Sequence, residues 1–223
     1  MRQLILPIQL RDDANFENFY PGDNNDAVIQ YLQNMMKNQD YLIFLSGKAH
    51  SGLTHVLQAV CHIYNHSLYL PLRNHLEFLP DILENTAQLD CIVLDDIDAI
   101  MGNKHWEEAI FHLFNQITQE QKKLIISSHI LPNLLDIKLP DLKSRLQSML
   151  ILKLEPLSDH EKLKALQLRA KNRGFILSDD VGQFLLNHAS RDMADLFDLL
   201  NKLDTISLTE KRRLTIPLVK KIL

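Results

Sequence analysis

Short apolar runs alternate with amphipathic stretches over the first two thirds of the chain. Tyr41-Leu42-Ile43-Phe44-Leu45 is continuous and apolar, which predicts a strand buried on both faces, the kind found in parallel sheets. Ahead of it, Val28, Leu32, Met35 and Met36 recur at helical spacing and predict a helix over about 25–38. Behind it, Gly47 through Gly52 read as a loop, and Val56, Leu57, Val60 and Cys61 mark one face of another helix. The alternation continues with a strand at Ser67–Leu70 and a stronger one at Cys91-Ile92-Val93-Leu94 that ends in Asp95-Asp96. A helix near 105–118 carries Trp106, Ile110, Leu113 and Phe114. Leu124-Ile125-Ile126 is the next strand, ending at Ser127-Ser128-His129, and Leu150-Ile151-Leu152 is the fifth. Strands alternating with helices predict right-handed crossovers and a parallel sheet.

After Pro156 the pattern becomes helical only. Ser158 with Glu161 fits a capping box, and the helix it opens would end near Gly174. Ser178-Asp179-Asp180 opens a second helix, 191–203 makes a third, and Leu214-Thr215-Ile216-Pro217 leads into a short last one. The predicted organisation is an extended tail over 1–15, an α/β domain over 16–155 and a small helical domain over 156–223. There is no internal repeat and no low-complexity tract.

Composition narrows the function classes only a little. The 223 residues are 46% hydrophobic and 23% charged, ordinary for a soluble globular chain, with a net charge of -4. Residues 1–155 carry -7 and residues 156–223 carry +3. The basic C-terminal part fits either a solvated helical surface or a contact with an acidic partner. Cys61 and Cys91 form no CxxC, and no Cys/His pair has zinc spacing, which argues against metal and disulfide frameworks. Without a signal-peptide run or a membrane span, the expectation is a reduced, cytoplasmic protein.

Strand, loop and helix at 42–62 supply the setting of a phosphate-binding loop, whose template is G-x-x-x-x-G-K-[ST]. Gly47-Lys48-Ala49-His50-Ser51-Gly52-Leu53-Thr54 keeps both glycines and the hydroxyl but has Leu53 where the lysine belongs. Such a lysine reaches the β and γ oxygens, and losing its charge-assisted bond costs about 1.5–3 kcal/mol, roughly ten- to a hundredfold in affinity. Lys48, five positions upstream, is no evident substitute, and Leu53 also continues an apolar helix face. A ligand-free turn between strand and helix therefore stands beside the nucleotide reading. Asp95 and Asp96, closing an apolar strand one unit later, suit a magnesium-facing and a water-activating carboxylate. The same pair would serve as two solvated acids at a strand end.

Taken in order, these features resemble AAA+ proteins of the DnaA branch, and within it the DnaA-related regulators of replication initiation. The stretches that carry the resemblance include Asn15-Phe16-Glu17-Asn18-Phe19-Tyr20-Pro21-Gly22-Asp23-Asn24, Gly52-Leu53-Thr54-His55, Trp106-Glu107-Glu108-Ala109-Ile110-Phe111 and Leu139-Pro140-Asp141-Leu142-Lys143-Ser144-Arg145-Leu146. In the helical part they are Pro156-Leu157-Ser158-Asp159, Leu166-Gln167-Leu168-Arg169-Ala170, Arg173-Gly174-Phe175 and Leu214-Thr215-Ile216-Pro217. The resemblance implies a P-loop NTPase-like five-stranded parallel sheet with a helical lid, and a nucleotide pocket of Gly47, Gly52, Leu53, Thr54, His55, Asp95 and Asp96. It implies two partners as well. Gln3, Leu4, Leu6 and Pro7 match the peptide that binds the replication sliding clamp, an extended segment with an amide for hydrogen bonds and leucines for an apolar pocket. Arg145 matches an arginine finger presented in trans to ATP held by DnaA, with Phe111 and Asn115 near that interface. An always-charged guanidinium suits this task, although composition alone would make Arg145 a surface ion pair.

The departures lie in the pocket. His50 replaces a loop glycine, Leu53 the lysine, His129 the usual sensor and Ala194 the lid arginine that reaches the phosphates. Two missing cations remove about 3–6 kcal/mol if additive. The expectation is weak or absent ADP binding, magnesium only with nucleotide, no useful ATPase activity, and a protein that stimulates hydrolysis by DnaA and so inhibits initiation. Two other classes stay open, a weak AAA+ ATPase and a loader-like binding module. The chain ends soon after the helical domain, and Lys211-Arg212-Arg213 and Lys220-Lys221 are few, so little direct DNA binding is expected. A homodimer is left open.

Overall fold

The computed structural model describes residues 10, 14–37, 39, 41–77, 79–190, 192–210 and 214–221. They form two units, one made of the chain up to Phe16 together with Asn24–Glu155, the other of Glu17–Asp23 together with Pro156–Leu223. Glu17–Asp23, which sequence reading places in the α/β domain, belongs with the helical unit: the Asp23 amide and Glu161 Oε1 bond at 2.9 Å, and Asn172 Nδ2 donates to Asn18 Oδ1 at 2.5 Å.

The first unit is a five-stranded, all-parallel sheet in the order β2-β3-β4-β1-β5. β1 is Leu42–Gly47, β2 Ser67–Pro71, β3 Cys91–Asp95, β4 Lys123–Ser128 and β5 Leu150–Leu154. All of β3 and all but the first residues of β1 and β4 are buried, which explains their uninterrupted apolar runs. β5 departs from that pattern. It is an edge strand, and Leu150 and Ile151 stay exposed. Helices α1 (Asp26–Gln33), α2 (Leu53–Cys61), α3 (Lys104–Glu120) and α4 (Pro140–Gln147) complete this unit. α1 stops five residues before the predicted end, because Asn34 Nδ2 donates to the Gln30 carbonyl and the chain continues as a tight turn. Between β2 and β3 the crossover is made of short 3-10 turns instead of an α-helix.

The main core stacks Phe44, Ile92, Leu94, Leu124 and Ile126 of the sheet against Trp106, Ile110, Leu113, Phe114 and Ile117 of α3. Each such side chain contributes about 1.5–3 kcal/mol of burial. Glu107 sits in this apolar setting at 1% exposure, and among the described residues no cation pairs with it. Its carboxylate accepts from the backbone amides of Gly102 (2.8 Å), Lys138 (2.9 Å) and Leu139 (2.7 Å). Those bonds satisfy the charge and tie the start of α3 to the residues that open α4.

The helical unit comprises α5 (Asp159–Asn172), α6 (Asp179–His188), α7 (Met193–Glu210) and α8 (Ile216–Val219). Ser158 and Glu161 form the expected capping box. α7 runs seven residues past the predicted end at 203, with Leu196, Leu200 and Leu203 in a core shared with Leu166, Leu185 and Val219. Among the described residues no helix is long and apolar enough to cross a membrane, and no His, Cys, Asp and Glu cluster could hold a metal ion.

Burial pushes the Cys61 thiol from its ordinary 9.0 up to about 12, and Cys91 is raised as well. Neither thiol should react with an aromatic disulfide reagent at pH 8 in the native protein, and both should react after unfolding. Because the folded state holds these protons more tightly, stability should fall as pH rises past 9. Glu107→Ala strands three backbone amides and should lower unfolding free energy by about 3 kcal/mol in a urea titration. Glu107→Gln, which keeps one acceptor, should cost less.

Candidate functional site

The chemistry-bearing residues gather at two opposite ends of the sheet. At the carboxyl end, β1 runs into the loop that precedes α2. Gly47 is required there by space: a Cβ would lie 2.4 Å from Ser51 Oγ and 3.0 Å from the Leu154 carbonyl. Gly52 is required by conformation, with φ of +91° as the residue that caps α2. His50 adopts φ of +67° without being glycine, a strain of about 1 kcal/mol. The loop thus has the shape of a phosphate cradle. The side chains of Thr54 and His55, which follow it, are engaged elsewhere.

Leu53 is 4% exposed and joins the core, so it offers no charge to the loop mouth. His55 Nε2 lies 2.9 Å from the Asn15 carbonyl. Thr54 Oγ1 donates to Asp95 Oδ2 at 2.8 Å. Asp95 also accepts from Tyr69 Oη at 2.7 Å and from Ser127 Oγ at 2.5 Å. Burial, with the Asp95 charge beside it, pushes the Tyr69 hydroxyl far above its ordinary value, so it remains a donor. Asp96, in a left-handed backbone conformation, takes the Arg73 Nε at 2.8 Å and His129 Nε2 at 3.2 Å. The other ring nitrogen of His129 meets the Gly47 carbonyl at 2.9 Å. His129 therefore bridges the loop and the second acid.

A nucleotide with magnesium needs cations toward the phosphates and a free carboxylate face toward the metal. Here both carboxylates are occupied by the chain's own donors, and Arg73 and His129 are spent on Asp96. The buried group left without a hydrogen bond in this loop is the Ser51 hydroxyl, which is neutral. The residues present do not fit a hydrolytic nucleotide site. Sequence reading missed Tyr69, Arg73 and Ser127, which reach the acids from neighbouring strand ends in a way no spacing rule reveals.

At the amino end, α4 delivers Arg145. Leu142 and Leu146 are fully buried and anchor the helix, Ser148 Oγ donates to the Arg145 carbonyl at 2.7 Å, and the guanidinium is exposed. Its Cζ lies 5.5 Å from the centroid of the Phe114 ring. Among the described residues no carboxylate pairs with Arg145. Phe111 and Asn115, one turn apart on α3, are half-buried, and Arg145 meets that helix through Phe114, a residue the sequence assigned only to a helix face. The two ends are well separated. β5 begins opposite Ile43 and ends opposite Gly47, about 13 Å of extended strand, and Arg145 stands just before its start. Gln3, Leu4, Leu6 and Pro7 lie outside the described residues. Ala194 is exposed at the start of α7.

Comparison with known proteins finds similarity in both units of the chain. Residues 159–223 match the model "Hda, lid domain", and residues 79–155 match "Bacterial DnaA ATPase domain". Domain III of the Thermotoga maritima replication initiation protein DnaA has a similar structure, with a TM-score of 0.80 at 22% identity, over 97% of this chain and 98% of that one. DnaA of Aquifex aeolicus, solved with AMPPCP bound, gives 0.71 at 21% identity over 87% of this chain and 66% of that one. The Thermotoga maritima RuvB Holliday junction branch migration motor gives 0.69 at 14% identity, over 93% and 70%.

Millimolar ADP or ATP with magnesium should raise the melting temperature of this protein by less than about 1 °C. A rise of about 5 °C or more would mean that the loop binds phosphate despite Leu53.

Proposed function

We propose that this chain, a DnaA-related AAA+ protein with a lid of the Hda type, regulates replication initiation by acting on nucleotide held by DnaA. The observation that supports this most is the contrast between its two ends. The carboxyl end is closed by internal bonds to Asp95 and Asp96, whereas Arg145 at the amino end is exposed and unpaired by any described carboxylate. Arg145 precedes β5, and roughly the length of that strand lies between its start and the level of Gly47, which supports a target on another subunit.

In this reading water attacks the γ-phosphorus of ATP on DnaA, the bond to the leaving ADP breaks, and a proton passes to solvent. Arg145 stays charged throughout and places its donors against oxygens whose negative charge grows in the transition state. Phe111 and Asn115 contact the DnaA surface beside it. Gln3, Leu4, Leu6 and Pro7 tether the chain to the sliding clamp, which restricts its action to DNA already loaded for synthesis. The pocket of Gly47, Gly52, Leu53, Thr54, His55, Asp95 and Asp96 serves as architecture, and ADP is dispensable.

Hydrolysis of DnaA-bound ATP in the presence of DNA-loaded clamp tests the proposal. The wild-type chain should accelerate hydrolysis. Arg145→Ala should lose that acceleration, by up to roughly 10³-fold if the finger has its usual worth. Leu4→Ala with Leu6→Ala should lose only the part that depends on the clamp. Absence of any acceleration by the wild type would end this reading.

A further inference from the structure

We infer that Phe114 is the positioning residue for Arg145, holding the guanidinium by its face so that its hydrogen-bonding edge stays available to a partner's phosphates. The inference rests on the trans-acting reading of Arg145 given above and adds to it a second residue with its own signature.

An exposed arginine has several rotatable bonds and ordinarily either samples many rotamers or pairs with a carboxylate. Either state handicaps a finger. Free rotation must be frozen when the partner arrives, and a carboxylate must first be displaced by the phosphates. Stacking on an aromatic ring avoids both. The ring quadrupole attracts the cation through its π face without a formal charge. The guanidinium's N–H donors lie in its own plane, so the bonds a phosphate would accept are not used up.

Phe114 is built for this. It is 1% exposed and packed in the main core, so its ring has no freedom to move aside. It lies on α3, and α3 also fixes the start of the helix that carries the arginine, through Glu107 and the amides of Lys138 and Leu139. Farther along α4, Leu142 and Leu146 are buried and the Ser148 hydroxyl caps the Arg145 carbonyl. The backbone of Arg145 is thereby set relative to α3, within side-chain reach of Phe114, and the guanidinium carbon lies 5.5 Å from the Phe114 centroid. Glu107 and Phe114 are seven residues apart on α3, two turns along one face, so a single helix positions both the start and the business end of α4.

The test uses the full chain in the DnaA hydrolysis assay with DNA-loaded clamp. Phe114→Leu should reduce the maximal stimulated rate about three- to fivefold, the worth of an exposed cation–π contact, and leave the half-saturating concentration of this chain unchanged. In an Arg145→Ala background the same substitution should have no further effect. Phe114→Met, closer in volume, should behave like the leucine variant and stands in for it should that one fail to fold. Proton NMR of the unmodified protein gives an independent readout, because the ring should shift the Arg145 side-chain resonances upfield. Wild-type stimulation by Phe114→Leu or Phe114→Met, with Arg145→Ala inactive, would overturn the role of Phe114 and leave the finger intact. Full stimulation by Arg145→Ala would remove the finger itself, and the positioning role with it.

Discussion

Asp95 is a carboxylate at the end of a fully buried strand, and among the described residues three hydroxyl groups and no cation hold it. Thr54 comes from α2, Tyr69 from β2 and Ser127 from β4. A buried charge is tolerated only where hydrogen bonds replace its lost water, so the position of each donor is set by the carboxylate. Four elements are fastened at one point. Ser127 extends the arrangement, since its oxygen also accepts the Asp96 amide at 2.9 Å and so shapes the left-handed turn that aims Asp96 at Arg73 and His129. Pull Asp95 out and the carboxyl edge of the sheet loses its organising centre.

A second buried carboxylate performs a parallel task on the other side of the problem. Glu107 uses backbone amides where Asp95 uses hydroxyls, and it governs the approach of α4 where Asp95 governs the approach of α2. Neither acid has a described cationic partner. Both exchange hydration for several well-directed neutral donors, which makes each of them specific about geometry. The molecule therefore spends its two most deeply buried charges on defining where two helices begin, one at a degenerate pocket and one at an exposed arginine.

Much of this was legible from residues alone. The continuous apolar runs at Leu42–Leu45, Cys91–Leu94 and Leu124–Ile126 correspond to buried parallel strands, since burial on both faces leaves no position for a polar residue. The Ser158–Glu161 pair marked a helix start because that spacing closes two hydrogen bonds at once. Less could be read where structure depends on distant partners. The crossover between β2 and β3 has no helical periodicity to detect, and its described residues fold as short turns, at Leu72–Glu77, Pro80–Leu83 and Thr86–Gln88. The occupied state of Asp96 depends on Arg73 and His129, remote in sequence, and Phe114 reads as one more core aromatic until Arg145 is found above it. The missing lysine at Leu53 was visible. The apolar spacing of Leu53 also suggested a core position, where the structure places it.

The separation of Arg145 from the Gly47–Gly52 loop along the sheet has a further consequence. Subunits that both give a finger and receive one can stack head to tail without limit, because each contact leaves a fresh giving face and a fresh receiving face. A subunit with an open giving face and a closed receiving face breaks that symmetry. Under the proposed function such a subunit would join a row at one end only and, once there, would offer nothing for the next subunit to activate. The closed pocket would then act as a terminus, giving the row a polarity and an end where this chain sits.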